Sequence, residues 1–537
     1  MLQWPDSTLW NGFVDVASRR RDHPVIKFRG ETWSYLETKQ AGEALAHGLA
    51  DEGIKAGDTI AVWLGNRPAF LLTQLAAAYL GAVVVPINTR YRSHEVEYML
   101  SDADCVAVVT ERELLGNDYL ALLADVIPGI ETPDKTFEAI PSLRSVITVG
   151  EADEYPPVRE FDNVLETGQG REKLNPATDP TDPAAIFYTS GTTGEPKGCL
   201  QSHRSLLNHS FQVGEHLGVN DNDIAYTALP VYGIWGFNVV VSAISQGMTL
   251  VMQTHFEPER ALRAFDEQNV TYCSILATQL YRMAELNEFD PEAFSQFRRA
   301  TIAFTSSKFT PEKFRELQEV FGFPPVRAYG LSEANSQVVV GDPEAPIEER
   351  LELGGPICHP DEEARIVDPE TGKEREQGEV GEIHLRGFNL FSEYLGKPEQ
   401  TEAAMEGGWF HTGDLGRRTA DDRYVFESRV DDALRVRGFL VVPDEIETAI
   451  DDLPGVDQSQ VVGVPHPRHG QVPVAFVKRA ESNVDEAELI ASLEQRIADY
   501  KTPETVRFVE SFPRSDGPHG AKIKKTELQE RVVDLYE

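Results

Sequence analysis

Residues 188–198 read Tyr188-Thr189-Ser190-Gly191-Thr192-Thr193-Gly194-Glu195-Pro196-Lys197-Gly198. Four Ser/Thr hydroxyls, three glycines and one lysine fall in this short stretch. The apolar run 184–188 leads into it and reads as a buried strand. Glycine lets the backbone turn tightly and come close to a ligand. Successive backbone N–H groups then form a concavity for an anion, hydroxyls add donors, and lysine adds a point charge. Such a loop suits a polyphosphate. It differs from the common G-x-x-x-x-G-K-[ST] pattern because Gly198 follows Lys197.

Outward from this loop the chain alternates helix and strand patterns. Short apolar strands are expected at 59–64, 82–85, 105–110, 145–149, 249–252 and 300–304, with a helix of periodic apolar positions at 67–80. Segment 166–182 is polar and reads as a loop. This alternation predicts an α/β fold of layered subdomains with mainly parallel sheets. Near residue 380 the pattern turns to shorter strands with hairpin signals such as Asp368-Pro369-Glu370-Thr371-Gly372. Past 429 comes a unit of about a hundred residues, long enough for a small α+β domain. A helix at 444–452 and a strand at 460–464 are expected within it. The division expected is 1–428 and 429–537.

The 537 residues carry 88 acidic and 50 basic side chains, a formal charge of −38. That average field repels nucleic acid and anionic membrane surfaces. Only 15 of the 50 basic residues are lysine, which together with the acidity reads as adaptation to high salt. Cys105, Cys199, Cys273 and Cys358 lie far apart without paired metal spacing and read as buried thiols. The start of the chain has no basic region followed by an apolar stretch, and no run approaches a membrane span. The apolar segment 75–86 is broken by Gly81 and Pro86 into a helix end and a strand. A cytoplasmic protein without membrane insertion is expected, of undetermined oligomeric state.

The run 188–198 resembles the phosphate loop of the adenylate-forming superfamily: acyl-CoA synthetases, peptide-synthetase adenylation domains and beetle luciferase. Four further motifs follow in family order. Tyr329-Gly330-Leu331-Ser332-Glu333 is similar to the aromatic-Gly-x-Thr/Ser-Glu signature, and His411-Thr412-Gly413-Asp414 to the Thr-Gly-Asp motif. Arg429-Val430-Asp431-Asp432 resembles the hinge, and Arg437-Gly438-Phe439 the glycine segment before a helix start at Pro443. The resemblance implies a mobile C-terminal lid that pivots about Asp431. It implies that Thr189, Ser190, Gly191, Thr192, Thr193, Gly194 and Lys197 cradle the triphosphate of ATP. Tyr329 would pack on adenine, Ser332 reach the α-phosphate, Glu333 hold Mg²⁺, Asp414 accept from both ribose hydroxyls, and Arg429 contact ribose or phosphate. Gly438 and Arg437 would line the route of coenzyme A. The chemistry agrees where it can be checked: Mg²⁺ takes hard oxygen ligands with few protein carboxylates, and an ionised carboxylate is a pure acceptor with two oxygens.

The catalytic lysine of the family is matched best by Lys522, in Pro513-Arg514-Ser515-Asp516-Gly517-Pro518-His519-Gly520-Ala521-Lys522-Ile523. Extra residues separate Arg514 from it, and Ala521 stands where relatives have glycine. Thr305-Ser306-Ser307-Lys308 replaces Gly-Gly-Ala-Pro, Arg327 stands where many relatives have an amide, and Gly233 stands where a gating histidine often sits. Tyr232, Gly233, Trp235 and Gly330 are the expected acyl pocket, with Phe237 a further candidate. Acetate-specific relatives close the pocket with tryptophan where Gly330 stands, which implies room for a larger acid here. The expected activity is ATP-dependent acid–CoA ligation of a small-molecule carboxylate: acyl-AMP forms with release of pyrophosphate, then acyl-CoA with release of AMP. Loading of a carrier protein, a nucleotide- or acyl-binding homologue without turnover, and luciferase-type oxygenation are the alternatives. A medium, branched or aromatic acid is the expected substrate.

Overall fold

The computed structural model describes residues 2–536 except 133–136, 138, 173, 175–177, 190–195, 304–310, 369–370, 430–433, 438, 442, 481–483, 516–521, 524 and 534. At 311, 427–429, 435, 439–440, 444–445, 448, 514–515, 522 and 526 it describes the backbone alone. Among the described residues, two seven-stranded sheets form the larger part of the chain. The first runs Lys197–Ser202, Pro183–Thr189, Val83–Pro86, Thr59–Trp63, Ala107–Glu111, Ser145–Val149, Arg159–Glu160. The second runs Pro325–Val326, Arg299–Ala303, Tyr272–Leu276, Ile224–Thr227, Thr249–Met252, Pro24–Phe28, Glu31–Ser34. All neighbours are parallel except one antiparallel edge pair in each sheet.

The central strands, such as Thr59–Trp63 and Val83–Pro86, are nearly continuously apolar because both faces of each sheet are covered, as parallel sheets require. Alternate residues serve different layers. Ile60 and Val62 join the core between the two sheets, while Ala61 and Trp63 join the core on the outer face. The middle layer includes the helices Pro68–Leu80 and Ile234–Gln246. Pro68–Leu80 departs from the amphipathic expectation: every residue in it is buried, so it is apolar all round. It starts on proline and stops at Gly81, whose φ of 79° returns its N–H to Ala77 O. A third, outer core packs Tyr226, Cys273 and Ile275 against the helices Pro258–Gln268 and Ala277–Ala284.

Residues 354–429 form an antiparallel sheet, in the order Gly354–Gly355, Tyr424–Arg429, Trp409–Arg418, Val380–Gly387, Glu362–Val367. The C-terminal unit has its own sheet of Phe439–Val441, Leu434–Val436, Gly470–Arg479 and Val456–His466, with Thr505–Phe508 parallel to Gly470–Arg479. Its separate core includes Val461, Ala475, Val477 and Leu493. The fold is therefore a large layered α/β part and a small α+β part, as expected from the alternation. The expected hinge at Asp431 lies outside the described residues. Cys105, Cys199 and Cys273 are buried thiols, Cys358 is half-buried, and burial pushes Cys105 up to about 12. No helix of the described residues is long and apolar enough to cross a membrane.

His203 opens the helix His203–His216 at zero exposure, and its Nδ1 accepts from Leu9 N–H at 3.4 Å. Burial lowers its pKa from 6.5 to about 4. The folded state thus holds it neutral while the unfolded chain protonates near 6.5. Its contribution is complete above that value and is lost as pH falls toward 4. Between pH 7 and pH 5 this one group should remove about 2 kcal/mol of stability. Denaturant melts of His203→Gln should show a shallower acid limb than wild type; equal slopes would contradict the assignment.

Candidate active site

A cavity of ≈ 740 Å³ opens where the strands of both sheets end. Asn66 follows Thr59–Trp63, Asn88 to Tyr91 follow Val83–Pro86, and Thr189 ends Pro183–Thr189. From the second sheet come Leu229, Thr254, Leu276 and Ala303, each at or just past the carboxyl end of its strand. Open α/β sheets bind ligands in this crevice because the connecting loops there are free to diverge. Asn66 ties the two sheets together across it. Its side chain donates to Leu229 O at 2.8 Å and accepts from Val231 N–H at 3.0 Å. That fixes the loop carrying Tyr232 and Gly233, and desolvation there pushes the Tyr232 phenol up to about 12.

Of the residues singled out in the sequence, Thr189, Tyr232, Gly233, Trp235, Tyr329, Gly330, Ser332, Glu333, Asp414 and Arg437 line this one cavity. Tyr329 and Gly330 lie on Ala328–Leu331, paired antiparallel with Ser336–Val340, and Ser332 and Glu333 lie in the short turn between. Tyr329 Oη donates to Asp414 Oδ2 at 2.8 Å, and the Tyr329 ring stacks on Phe426 at 5.4 Å. The side chains expected at adenine and at ribose are thereby one hydrogen-bonded unit although 85 residues apart. Asp414 is 4% exposed. The Thr412 hydroxyl accepts its N–H at 3.0 Å, and Gly413 N–H donates to Glu382 Oε1 at 2.9 Å. The Glu382 pKa is lowered: burial alone would raise it, but the bond to His384 and the Gly413 N–H outweigh that.

Glu333, Thr189 and Ser332 line the same cavity, one carboxylate and two hydroxyl residues together. One carboxylate among hard oxygens fits Mg²⁺ carried on a triphosphate. Two clusters elsewhere, Glu382/His384/His411 and His466/His469/Glu504, bring metal-type donor atoms within 4.8 Å of one another. Their surroundings are wrong for a metal. The Arg365 guanidinium faces His384 Nδ1 at 3.4 Å, and His466 Nδ1 accepts from Arg468 N–H at 3.2 Å. An imidazole ligating through Nε2 needs Nδ1 as a donor.

Some expectations change. The direction a side chain at Gly330 would take is filled by Ser336 O, 1.2 Å from an ideal Cβ. The missing side chain is thus demanded by the hairpin and leaves no extra room for an acid. Phe237 belongs to the core, edge-on to Phe70 and Phe187, with 2% exposure. Arg327 donates to Leu351 O at 2.9 Å. Lys197 pairs through its backbone with Thr189, and its Nζ lies 5.1 Å from the Tyr394 ring centroid. Arg429 pairs through its backbone with Asp414, and Lys522 with Ser515 in a small hairpin; their side chains are outside the described set. Ser190, Gly191, Thr192, Thr193, Gly194, Asp431, Gly438 and 305–308 lie outside the described residues.

The C-terminal unit adds Arg437, Tyr500 and Lys501 to the wall. Lys501 Nζ pairs with Glu95 at 3.2 Å, with side chains only 5% and 10% exposed. Tyr500 Oη accepts from Asn88 Nδ2 at 3.1 Å, and Asp499 takes Arg90 at 2.8 Å and Arg437 at 3.3 Å. The sequence reading missed Asn88, Arg90, Tyr500 and Lys501. A polar Asn88-Thr89-Arg90 just past a buried strand, and a lysine in a lysine-poor chain, were the available signals.

The comparisons agree with this geometry. The family model described as "AMP-binding enzyme" matches residues 13–395, and "AMP-binding enzyme C-terminal domain" matches 445–516. The chain is 30% identical to a 2-succinylbenzoate–CoA ligase of Geobacillus kaustophilus, over 93% of each chain. It is 28% identical to a mitochondrial medium-chain acyl-CoA ligase of Mus musculus, over 97% of this chain and 86% of the relative. Among solved structures, ATP-bound MatB of Rhodopseudomonas palustris aligns with a TM-score of 0.69 at 27% identity, over 99% of this chain and all of that one. The Bacillus subtilis o-succinylbenzoate CoA synthetase shares the fold, with a TM-score of 0.81 at 24% identity over 98% and 99% of the chains. The chain belongs to the AMP-binding enzyme family, in its acyl-CoA ligase branch.

Proposed function

We propose that the protein joins a carboxylic acid to coenzyme A at the expense of ATP, through an acyl-AMP. The observation that carries this reading is the single cavity, which gathers Thr189, Tyr329, Ser332, Glu333 and Asp414 with Arg437 and Lys501 of the C-terminal unit. In a chain of net charge −38 that wall also collects Arg90 and Arg282. Arg90 and Arg437 are ion-paired with Asp499 and Lys501 with Glu95, so these groups offer directed hydrogen-bond donors to an anion more than a net positive field. ATP, CoA and a carboxylate are all anions.

In the first half-reaction a carboxylate oxygen attacks the α-phosphorus of ATP; the P–O bond to pyrophosphate breaks and acyl-AMP forms. Asp414 holds the ribose by accepting from its hydroxyls, and Tyr329, braced by Asp414, packs on adenine. Fixing the nucleotide this way puts the α-phosphate in line with the acid. Lys197 and Ser332 face the charge on the phosphates, and Lys522 meets charge developing on the α-phosphate and acyl oxygens. Glu333, with Ser332, would hold Mg²⁺, which when bound neutralises the triphosphate. In the second half-reaction the CoA thiolate attacks the acyl carbon and AMP leaves. Arg437 and Gly438 line the route of that thiol, and the unit beyond 429 pivots near Asp431 between the two steps.

Tyr232, Ile234, Trp235 and Ile302 make the acyl end largely apolar, which favours a medium, branched or aromatic acid. The acidic, lysine-poor composition favours a cytoplasmic enzyme of a high-salt cell. The test is a mass-spectrometric assay in molar salt with ATP, Mg²⁺ and a panel of carboxylates, with and without CoA. Acyl-CoA is the expected product. Acyl-AMP that persists with CoA present would point to a carrier-protein acceptor, and no adenylate from any acid would overturn the reading.

The Lys501–Glu95 pair supports a further expectation. It joins the two parts in the arrangement that brings Arg437 to the cavity. Breaking a buried pair from one side is costly because a charge is stranded. Lys501→Met should slow thioester formation from supplied acyl-AMP by about tenfold or more while ATP–pyrophosphate exchange persists. Equal loss of both half-reactions would contradict it.

A further inference from the structure

One buried tyrosine touches both charged groups assigned to the triphosphate end of the site. Tyr394 is 7% exposed. Its Oη donates to Glu333 Oε1 at 2.9 Å, and Lys197 Nζ lies 5.1 Å from its ring centroid. Its backbone is held as firmly. Ser392 N–H donates to Leu200 O at 2.8 Å, Leu200 N–H to Glu393 O at 3.0 Å, and Leu395 N–H to Gly198 O at 2.8 Å. Tyr394 itself bridges Cys199. Segment 391–395 thus runs as an added edge along Lys197–Ser202, the strand that leaves the phosphate loop. Phe391 N–H donates to Glu333 O at 2.7 Å, and Lys397 Nζ reaches Pro196 O at 3.3 Å. The same short segment therefore grips the phosphate-loop strand and the backbone and side chain of Glu333.

We propose that Tyr394 is a positioning residue that sets the Glu333 carboxylate and the Lys197 ammonium in register for a metal-bound triphosphate. The phenol O–H occupies Oε1 and so fixes how the carboxylate is turned. A hydrogen bond to a charged acceptor is directional and strong enough to select one rotamer. The ring face attracts the ammonium without neutralising it. Glu333, in the short turn after Ala328–Leu331, and Lys197, at the start of Lys197–Ser202, carry opposite charges, and a neutral phenol that contacts both orients each for its ligand.

The inference rests on the reading of Glu333 as the carboxylate that holds the divalent ion. The test uses the full-length protein with Mn²⁺ and the non-cleavable analogue α,β-methylene ATP. Bound Mn²⁺ is read by electron paramagnetic resonance, and the analogue by calorimetry with and without metal. Tyr394→Phe keeps the ring and loses the hydroxyl. It should weaken Mn²⁺ about tenfold and leave metal-free analogue binding, melting temperature and the KM for the acid near wild type. Tyr394→Leu should weaken the metal-free analogue as well, because the ring under Lys197 is gone. Glu333→Gln serves as the reference and should lose Mn²⁺ more than either. If Glu333→Gln lowers Mn²⁺ binding and Tyr394→Phe does not, the positioning role falls while the reading of Glu333 stands. If Glu333→Gln binds Mn²⁺ like wild type, the reading of Glu333 falls and the role of Tyr394 with it.

Discussion

Gly330→Ala should unseat the site and a good part of the fold with it. An ideal Cβ at 330 lies 1.2 Å from Ser336 O, 2.3 Å from its carbonyl carbon and 3.0 Å from Gln337 N. All three are backbone atoms of the partner strand, so no rotamer change relieves the overlap. The turn that brings them so close is itself tight. Asn335 and Ser336 sit at φ of 55° and 77°, a left-handed pair in which Asn335 is tolerated and Ser336 is strained. Opening the hairpin moves Tyr329 away from Asp414 and Ser332 and Glu333 away from the cavity. A loss of about 3–5 kcal/mol is expected, the range of severe core and backbone conflicts. Adenylation should fall by about a hundredfold or more. Thermal melting and ATP–pyrophosphate exchange measure the two effects. A variant with wild-type melting and exchange would show that the hairpin has slack that this geometry denies.

Asp414→Ala should cost nucleotide affinity more than stability. The buried carboxylate accepts from Tyr329 Oη, and an ionised carboxylate is an acceptor through both oxygens, the property the ribose role calls on. Hydrogen bonds to an ionised acceptor are worth about 1.5–3 kcal/mol each, so the loss of the ribose contacts alone raises the Kd for ATP by about a hundredfold. Removing the acceptor also takes this bond from the Tyr329 hydroxyl and loosens the ring against Phe426. Asp414→Asn keeps one carbonyl acceptor and should lie between alanine and wild type. Calorimetric titration with ATP checks both. An unchanged affinity in Asp414→Ala would remove the ribose role, and a collapse of melting temperature with normal affinity per folded molecule would make the residue structural.

The elements legible in the sequence were those with local causes. Val83–Pro86 and Ser145–Val149 are short apolar runs between breakers, and Gly81 and Pro86 mark where the apolar stretch 75–86 changes from helix to strand. The motif residues Thr189, Tyr329, Ser332, Glu333 and Asp414 could be named because each sits in a compact run of special residue types. Their convergence on one cavity is a finding of the structure. Gly330 shows the limit of motif reading. The residue type was visible, but its reason, a carbonyl of a partner strand, was not.

The amino-acid sequence by itself determined the family and the α/β class, and it named the side chains proposed to carry charge toward the nucleotide, since hydrophobic period, turn residues and motif order are written within a few residues. Only the tertiary structure decided that Tyr394 braces Glu333 from 61 positions away and that Lys501 meets Glu95 across 406. Contacts of that separation depend on how sheets stack and where their carboxyl ends meet. The local pattern of neither partner carries that information.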